Sequence, residues 1–396
     1  MKQKSFSLSV LVLSAGLLVP LVGCSQKPSD NLDAKMQSLV TGLVQGDTSV
    51  KNCALSVLKG DGSFSWSGAA GIAHDQVRMT KDTPVFIASI TKLYTAVVIM
   101  RLSERGAISL DDPMSKYLPG EVIQGIHVYK GKDYSREVTI RQLLSHSSGI
   151  ADYYSEKGKD GKSLFDMFVE NPDRAWTVDE TIERARKDLK PNFQPGMGTS
   201  YSDTNFQLLG KIIETVAGMP LQNAFQDFIF RPVGLTHTWL VSRQHASPAN
   251  PADVFYRNVK ITKIRSNGSY WADGGIVSTA DEMIAFLKAL NEGKIVGRET
   301  LESMHIWRKW HFPLEYGLGT MHFVLPRPMS LVTKMPPLWG HSGSTGSFLY
   351  YCPDLDLYMA GTIDQADAQT KPFFLMYKVV REIQRRAGNS AQENEP

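Results

Sequence analysis

Apolar residues near the start of the chain follow first a helical and then a strand pattern. Those at helical spacing are Leu32, Met36, Leu39, Val40, Leu43 and Val44. This pattern ends at Gly46 and predicts an amphipathic helix. Apolar runs at 53–58 and 64–72, separated by a Gly-Asp-Gly turn at 60–62, predict a β-hairpin.

A similar arrangement closes the chain in reverse order. Runs at 347–351 and 357–363, separated by Pro353 and Asp354, predict a second hairpin. A final helix is predicted from apolar residues at helical spacing, namely Phe373, Met376, Val379, Val380 and Ile383. Strands therefore lie near both ends of the chain.

The middle of the chain has mainly helical patterns. Predicted helices occupy 91–105, 138–144, 178–189, 205–217 and 280–291. Strands at both ends with helices between them predict an α+β fold, in which an antiparallel sheet from N- and C-terminal segments is flanked by helices and a large, mainly helical region is inserted. The predicted units are an α/β sheet domain at 32–85 plus 320–388, a helical domain at 86–319 and a polar tail at 389–396. We expect the functional site between the two domains.

Composition excludes several classes of protein. The 396 residues include 42% apolar and 21% charged residues, which is ordinary for a globular chain and unlike a disordered or fibrous one. The formal net charge is +3, and no strongly basic stretch is interleaved with aromatic residues, so nucleic acid is not expected as a partner. Oligomeric state is not indicated by the sequence.

The first residues have the pattern of an export signal. A basic start at Met1–Lys4 and an apolar run lead to Leu-Val-Gly-Cys, which ends at Cys24 and resembles a lipobox. This resemblance implies a signal peptide at 1–23, lipid attachment at Cys24 and a polar tether over 24–31. We therefore expect a protein anchored to a bacterial membrane and facing the periplasm or cell exterior. Ser25 favours the outer membrane, if the cell has one.

Two cysteines remain after Cys24. Cys53 lies early in the first predicted strand and Cys352 at the end of a late one, and no feature of the sequence brings them together. One disulfide bond cannot be the framework of a chain of this size. We expect two free, buried thiols.

Two Ser-x-x-Lys tetrads are candidates for nucleophilic chemistry. Ser56 and Lys59 lie in a predicted strand, where an odd spacing places side chains on opposite faces. Ser89 and Lys92 open a predicted helix, where a spacing of three lets hydroxyl and amine touch. A serine needs a nearby base to become a nucleophile, and a lysine serves if its pKa is lowered. Taken alone, Ser89 equally fits a helix N-cap and Lys92 a solvated helical residue.

Two further segments carry candidate chemistry. In Tyr-Ser-Asp at 201–203, a phenol beside an ammonium group is favoured as its anion, so Tyr201 is a candidate for proton transfer, although a loop tyrosine alone also fits a packing role. The segment 340–346, Gly-His-Ser-Gly-Ser-Thr-Gly, precedes a predicted strand. Its glycines allow a close approach to a ligand, and strand N–H groups can hold an oxyanion, although a plain Gly-Ser turn fits the same pattern.

In combination, these motifs resemble the serine β-lactamase and penicillin-binding protein family, in particular its class C β-lactamase, D-alanyl-D-alanine carboxypeptidase and esterase branch. The resemblance covers most of the chain after the leader. Its residues are Phe-Ile-Ala-Ser-Ile-Thr-Lys at 86–92, Ile-Arg-Gln-Leu-Leu-Ser-His-Ser-Ser-Gly-Ile at 140–150, Pro-Gly at 195–196, Pro-Val-Gly-Leu at 232–235 and Gly-Gly-Ile-Val-Ser-Thr at 274–279.

The resemblance implies a role for each motif. Ser89 would form an acyl-enzyme, with Lys92 and Tyr201 moving protons. Backbone N–H groups of Ser89 and Ser344 would form the oxyanion hole. Substrate would be bound by Asp203, His341, Ser342 and Gly343. His146 also matches the family pattern and is expected to have a structural role.

Two residues depart from the family pattern. Asp203 stands where Asn is common, and an ionised carboxylate can only accept hydrogen bonds. It either pairs with Lys92, raising the pKa of the lysine, or is itself protonated in a dry site. His341 replaces a lysine, and a neutral imidazole anchors a substrate carboxylate less firmly, so a neutral ester or amide becomes a credible substrate.

Other reaction classes lack their motifs. The sequence has no His-Glu-x-x-His and no Gly-x-Ser-x-Gly, so neither a zinc mechanism nor an α/β-hydrolase is indicated, and no metal or organic cofactor is implied. The predicted function is a serine hydrolase acting on a D-Ala-D-Ala-type peptide or a β-lactam. The alternatives are a small-ester esterase of the same fold, or a cell-wall or β-lactam binding protein whose catalysis Asp203 impairs.

Overall fold

The computed structural model describes residues 31–171, 174, 176–241, 248–262 and 269–393. The predicted signal peptide, Cys24 and most of the tether lie outside the described residues. Among the helices that are described, none combines the length and the apolar character needed to cross a bilayer.

Strands from both ends of the chain form one antiparallel sheet, as predicted. In the described residues this sheet has nine strands in the order β11-β12-β13-β14-β15-β16-β1-β2-β3. Their bounds are Asn52–Lys59 (β1), Ser65–His74 (β2), Val77–Arg78 (β3), Arg308–His311 (β11), Leu314–Tyr316 (β12), Met321–Phe323 (β13), Leu338–Ser342 (β14), Phe348–Cys352 (β15) and Leu357–Thr362 (β16). The α+β fold class is confirmed.

Short strands outside this sheet form smaller sheets of their own. They are Val85–Phe86 (β4), Val128–Tyr129 (β5), Lys132–Asp133 (β6), Trp239–Leu240 (β7), Phe255–Tyr256 (β8), Val259–Lys260 (β9) and Ile276–Ser278 (β10). β4, β10 and β7 form a small sheet, and this places the segment before Ser89 beside the segment after residue 275.

Helices cover both faces of the large sheet. Their bounds are Leu32–Gly46 (α1), Thr91–Glu104 (α2), Gly120–Ile123 (α3), Ile140–Leu144 (α4), Leu164–Glu170 (α5), Val178–Lys187 (α6), Asp203–Ala217 (α7), Leu221–Phe225 (α8), Arg231–Val233 (α9), Ala280–Asn291 (α10), Arg298–Met304 (α11), Arg327–Thr333 (α12) and Lys371–Glu393 (α13). α1 and α13 pack on one face and α10 on the other. The strand β1 is therefore buried on both sides, which explains its continuous apolar run.

Helix α2 forms the centre of the inserted region. Apolar residues surround it on nearly all sides, and it packs against α7 and α8 in the larger of the apolar cores. A helix that is apolar all round is expected to be buried. Such burial fixes the N-terminal end of α2, which bears Lys92, against the rest of the protein.

The sequence pattern missed part of the sheet and some element ends. β11, β12 and β13 were not predicted, because they are short and β11 is polar and half exposed, with no clear alternation. The 340–346 segment does not simply precede a strand, since β14 extends to Ser342. Helix α13 continues to Glu393, through part of the segment assigned to a polar tail.

The two later cysteines are free and buried, as expected. Cys53 lies in β1 and Cys352 ends β15, and neither forms a disulfide bond. Burial raises the pKa of both thiols, that of Cys352 to about 11. These thiols are therefore unreactive packing residues.

A buried carboxyl group lies just beyond β16. Oδ1 of Asp364 accepts a hydrogen bond of 2.9 Å from the Thr362 hydroxyl, and Oδ2 has no hydrogen-bond partner. Burial, with a smaller contribution from the Asp253 charge, raises the pKa of Asp364 to about 8. Asp364 is consequently protonated in the folded protein at neutral pH, whereas it is ionised in the unfolded chain.

We expect the substitution Asp364→Asn to flatten the dependence of stability on pH between about pH 4 and pH 8. Because the pKa of Asp364 is higher in the folded state, its contribution to stability is complete at low pH and is lost as pH rises through about 8. The wild-type protein should lose ~2–3 kcal/mol between pH 6 and 9 from this group, and the variant should not. Urea unfolding followed by tryptophan fluorescence at both pH values measures the difference. Asp61→Asn, at an exposed turn, is the control and should lose stability with pH as the wild-type protein does. A loss in D364N equal to that of the wild-type protein contradicts the raised pKa assigned to Asp364.

Candidate active site

Ser89 lies in a tight turn that leads directly into α2. The turn Ala88–Ile90 is a 3₁₀ helix, and Ala88 has φ = 46°, a conformation uncommon for a residue other than glycine. Lys92 follows one helical turn later, and its Nζ lies 3.0 Å from Ser89 Oγ. The predicted contact between hydroxyl and amine is therefore present. The other tetrad is not a site, because Ser56 bonds to Asp281.

The Lys92 ammonium group is buried and has two partners besides Ser89. Its side chain is fully buried, Nζ donates a 2.7 Å hydrogen bond to the Asp273 carbonyl oxygen, and it forms an ion pair with Asp203. Burial alone lowers the pKa of Lys92, but the charges of Asp203 and Asp273 outweigh burial and raise it. Lys92 is therefore protonated at rest and donates to Ser89. Of the two alternatives for Asp203, the structure has the ion pair.

Tyr201 lies above Lys92 and is neutral. The Lys92 Nζ is 5.0 Å from the centre of the Tyr201 ring, so it contacts the ring face. Burial and the charge of Asp203 raise the pKa of Tyr201 well above its usual value, while the Ser89 hydroxyl opposes this shift. The expectation that the ammonium favours a phenolate is wrong here, because burial and the nearby Asp203 carboxylate favour the neutral phenol. The ring also stacks on Trp310, with centroids 5.2 Å apart.

Two more buried carboxyl groups lie near Asp203. Asp152 accepts a 2.9 Å hydrogen bond from the backbone N–H of Asp203, and Asp273 accepts one from the Tyr153 hydroxyl. Burial, together with the charge of Asp203, raises the pKa of Asp152 to about 7 and that of Asp273 to about 6. The site thus holds three buried carboxyl groups and one lysine.

Sequence reasoning missed Asp152 and Asp273. Asp152 follows the family segment 140–150, and Asp273 precedes the family segment 274–279. Their adjacency to these segments is the signal that was available. Nothing in their spacing indicated that both converge on the Asp203 carboxylate.

The end of β14 closes the site beside the serine turn. Gly343 packs so closely that a side chain on it would collide with the carbonyl oxygen of Ile87. The Thr345 hydroxyl donates a 2.8 Å hydrogen bond to the Phe86 carbonyl oxygen, and this ties the two segments together. Ser344, the predicted second oxyanion donor, is thereby held next to Ser89. Their roles in the oxyanion hole stay predictions.

His341 lies beneath the site and not on its surface. It is fully buried; Nδ1 lies 2.7 Å from the Ser342 carbonyl oxygen and Nε2 lies 2.9 Å from the Tyr316 hydroxyl. Burial and the positive charge of Lys92 lower the pKa of His341 to about 3. The imidazole is therefore neutral. Of the predicted substrate-binding residues, His341 is outside both cavities described below.

His146 supports the loop that carries Tyr201. Its Nδ1 accepts a 3.1 Å hydrogen bond from the Ser202 backbone N–H, and its ring lies 4.2 Å from the Tyr201 ring. Burial, with the Lys92 charge, lowers the pKa of His146 well below its usual value. This geometry fits the expected structural role.

Two cavities meet at Ser89. One, of about 440 Å³, is lined by Asp152, Asp203 and Asp273 and is called here the acidic cavity. The other, of about 660 Å³, is called the apolar cavity and is lined by aromatic and aliphatic residues together with Ser342 and Gly343. Residues common to both are Ser89, Tyr201, Ser344 and Gln369. The serine is thus accessible from both sides.

Comparisons with known proteins show the family of this chain. The Beta-lactamase family model matches residues 35–371. A putative D-alanyl-D-alanine carboxypeptidase of Escherichia coli K12 is 37% identical over 165 residues, which are 41% of this chain and 35% of that protein. Penicillin-binding protein 4 of Amycolatopsis lactamdurans is 32% identical over 170 residues, 42% of this chain and 39% of that one. The chain thus matches little more than a third of the length of these relatives.

A solved structure extends the likeness to most of the chain. A D-stereospecific amidohydrolase from Streptomyces has a TM-score of 0.70 and 27% identity, over 88% of this chain and 97% of that one. The fold is that of the β-lactamase and transpeptidase-like class. The chain belongs to the β-lactamase family.

We expect Asp203→Asn to make Lys92 a better base toward a neutral ester. Removing the carboxylate removes the main charge that raises the pKa of Lys92. Because the neutral amine is the active form, the rise of the acylation rate with pH should move to lower pH by about one unit, or ~10-fold faster acylation at pH 7. Stopped-flow acylation by p-nitrophenyl acetate between pH 5 and 10 measures this.

The same substitution at Asp152 is the matched comparison for Asp203→Asn. Asp152 contacts the backbone of Asp203 and not Lys92, so D152N should leave the position of the rise unchanged. If D203N is acylated more slowly than the wild-type protein and its profile of acylation rate against pH does not move, the role assigned to the ion pair is contradicted.

Proposed function

We propose that this protein is a serine hydrolase that forms an acyl-enzyme at Ser89 on small amides or esters. The observation that carries the proposal is the 3.0 Å contact between Lys92 Nζ and Ser89 Oγ, at the point where two cavities open onto the serine. The two cavities that meet at Ser89 are large enough to hold a ligand. A lysine with a purely structural role would not require a serine hydroxyl at that position.

The reaction follows from the positions of the groups. Ser89 Oγ attacks the substrate carbonyl carbon while its proton passes to the neutral amine of Lys92. The backbone N–H groups of Ser89 and Ser344 stabilise the oxyanion. Lys92, with Tyr201, returns the proton to the departing amine or alcohol as the carbon–leaving-group bond breaks. Water then attacks the ester at Ser89, which restores the hydroxyl and releases the acid.

Lys92 must first lose the proton that Asp203 stabilises. A substrate ammonium group bound in the acidic cavity would take Asp203 as its own partner and would repel the Lys92 ammonium. Both effects lower the pKa of Lys92 and release the base. An amine-bearing substrate would therefore activate the enzyme that cleaves it.

The charge of the site favours the same substrates. Asp152, Asp203 and Asp273 face the acidic cavity, against the single positive charge of Lys92 and a neutral His341. A substrate carboxylate is repelled there, whereas an ammonium group is attracted. D-Ala-D-Ala peptides and β-lactams carry a carboxylate, so we rank them below amides of amino acids with a free amine. The likeness to a D-stereospecific amidohydrolase supports an amide as the substrate.

The variant Ser89→Ala should abolish covalent labelling by a fluorophosphonate probe. The wild-type protein should gain the mass of one phosphonyl group on the peptide that contains residue 89. Mass spectrometry of the intact and digested protein makes the measurement. Labelling that persists at another serine in S89A contradicts the proposed nucleophile. Ser56→Ala, in the second tetrad, serves as the control and should label normally.

Substrate charge is tested with matched compounds. Phenylalanine amide, its N-acetyl form and an N-succinyl form present an ammonium, a neutral and a carboxylate group on the same scaffold. We expect kcat/KM to fall in that order, by about ten-fold or more for each step. The preference for the free amine should largely disappear in D203N. Equal rates for the three compounds contradict the proposed selectivity but leave acylation at Ser89 intact.

A second candidate is a binding protein that acylates once and turns over slowly. The raised pKa of Lys92 favours it, because a protonated lysine cannot activate the deacylating water. The rate of recovery of free enzyme after a single acylation separates the two candidates.

We also propose that the protein is lipid-anchored through Cys24, on the extracytoplasmic side of a bacterial membrane. The support is the basic start, the apolar run and the Leu-Val-Gly-Cys ending. Replacing Cys24 by Ser should move the protein from the membrane fraction to the soluble fraction.

A further inference from the structure

Apart from the four residues that line both cavities, the apolar cavity is lined by a different part of the fold from the acidic cavity. Its walls come from β11, β12, β13, the segment after α12 and the start of α13. The apolar residues that line it are Trp310, Phe312, Pro313, Leu314, Met321, Phe323, Leu325, Met335, Phe373, Phe374 and Tyr377. No Asp, Glu, Lys or Arg is among its described lining residues.

The walls are fixed by aromatic stacking. Phe323 stacks on Phe373 with centroids 5.1 Å apart, which joins the sheet to α13. Trp310 stacks on Tyr201, so the cavity wall is continuous with a group of the proposed proton-transfer machinery. The cavity is therefore built into the site and is not a surface irregularity.

The mouth of the cavity exposes large apolar side chains. Phe312 is 63% exposed and Phe374 is 65% exposed, and both line the cavity. Exposed aromatic rings at the rim of an apolar space are typical of a surface that receives an apolar ligand. Its volume, about 660 Å³, lies within the range of cavities that enclose a small organic ligand.

We infer that the apolar cavity binds a long apolar group of the substrate, such as a medium-length acyl or alkyl chain, attached to one side of the scissile bond. The inference rests on the proposed function, because Ser89 at the junction must cleave the bond. Since only Ser89, Tyr201, Ser344 and Gln369 line both cavities, a substrate that fills both has its carbonyl at the serine. The substrate is therefore amphiphilic, with a polar or cationic part on one side and an apolar part on the other.

Chain-length dependence tests the inference. Acetyl, butyryl and octanoyl p-nitrophenyl esters vary the acyl part, and ethyl, butyl and octyl acetates vary the alcohol part, all below their critical micelle concentrations. We expect kcat/KM to rise by at least ~30-fold along one of the series. The largest increase in kcat/KM that each fully buried methylene can give is about four-fold, the equivalent of ~0.8 kcal/mol. Flat profiles in both series, with Ser89-dependent turnover of the acetyl ester, overturn the inference and leave the proposed function standing.

Variants at the rim separate the cavity from general hydrophobicity. The double variant Phe312→Asp with Phe374→Asp places two charges at the mouth, at exposed positions where the fold tolerates them. It should remove most of the gain for the longer chain. The control, Val77→Asp with Val128→Asp, changes exposed apolar residues away from the cavity and should keep the gain. A gain that survives the rim variant equally overturns the inference.

Discussion

The structure depends on one buried ammonium group and the carboxylates around it. Lys92 is fully buried. Moving a charged group from water into the protein interior costs free energy unless groups of opposite charge lie next to it. Asp203 supplies the ion pair, Asp273 supplies a backbone oxygen and a nearby charge, and together they keep the lysine protonated. Removing one partner leaves another charge uncompensated. The site is therefore coupled in its protonation as well as in its geometry.

The fold brings these groups together from distant parts of the chain. α2 holds Lys92 because it is buried on nearly all sides, and α7 begins at Asp203 and packs beside it. The segment before β10 brings Asp273 to the opposite side of the amine, where it meets the Lys92 Nζ. A rigid apolar scaffold thus surrounds a compact polar cluster, which suits precise control of proton positions.

Features that depend on residues close together in the sequence could be predicted. Features that depend on contacts between distant segments of the chain could not. The contact between Ser89 and Lys92 follows from helical periodicity, and the sheet follows from apolar runs at both ends. Asp152 and Asp273 are far apart in sequence, and only the fold shows that they share one charge environment. The protonation of Tyr201 depends on its burial and on the nearby Asp203 charge, which spacing cannot reveal. β11–β13, which build the apolar cavity, were missed for lack of alternation.

The contacts between the serine turn and the segment that follows β14 have a consequence for biosynthesis. The turn at 86–89 is held by Thr345 and packs against Gly343, more than 250 residues later in the chain. A ribosome-bound chain that ends before this strand has Ser89 and Lys92 but lacks the wall against which they are set. Hydrolytic competence therefore arises only after the chain has been synthesised past residue 345, so shorter chains would be released without an assembled nucleophile.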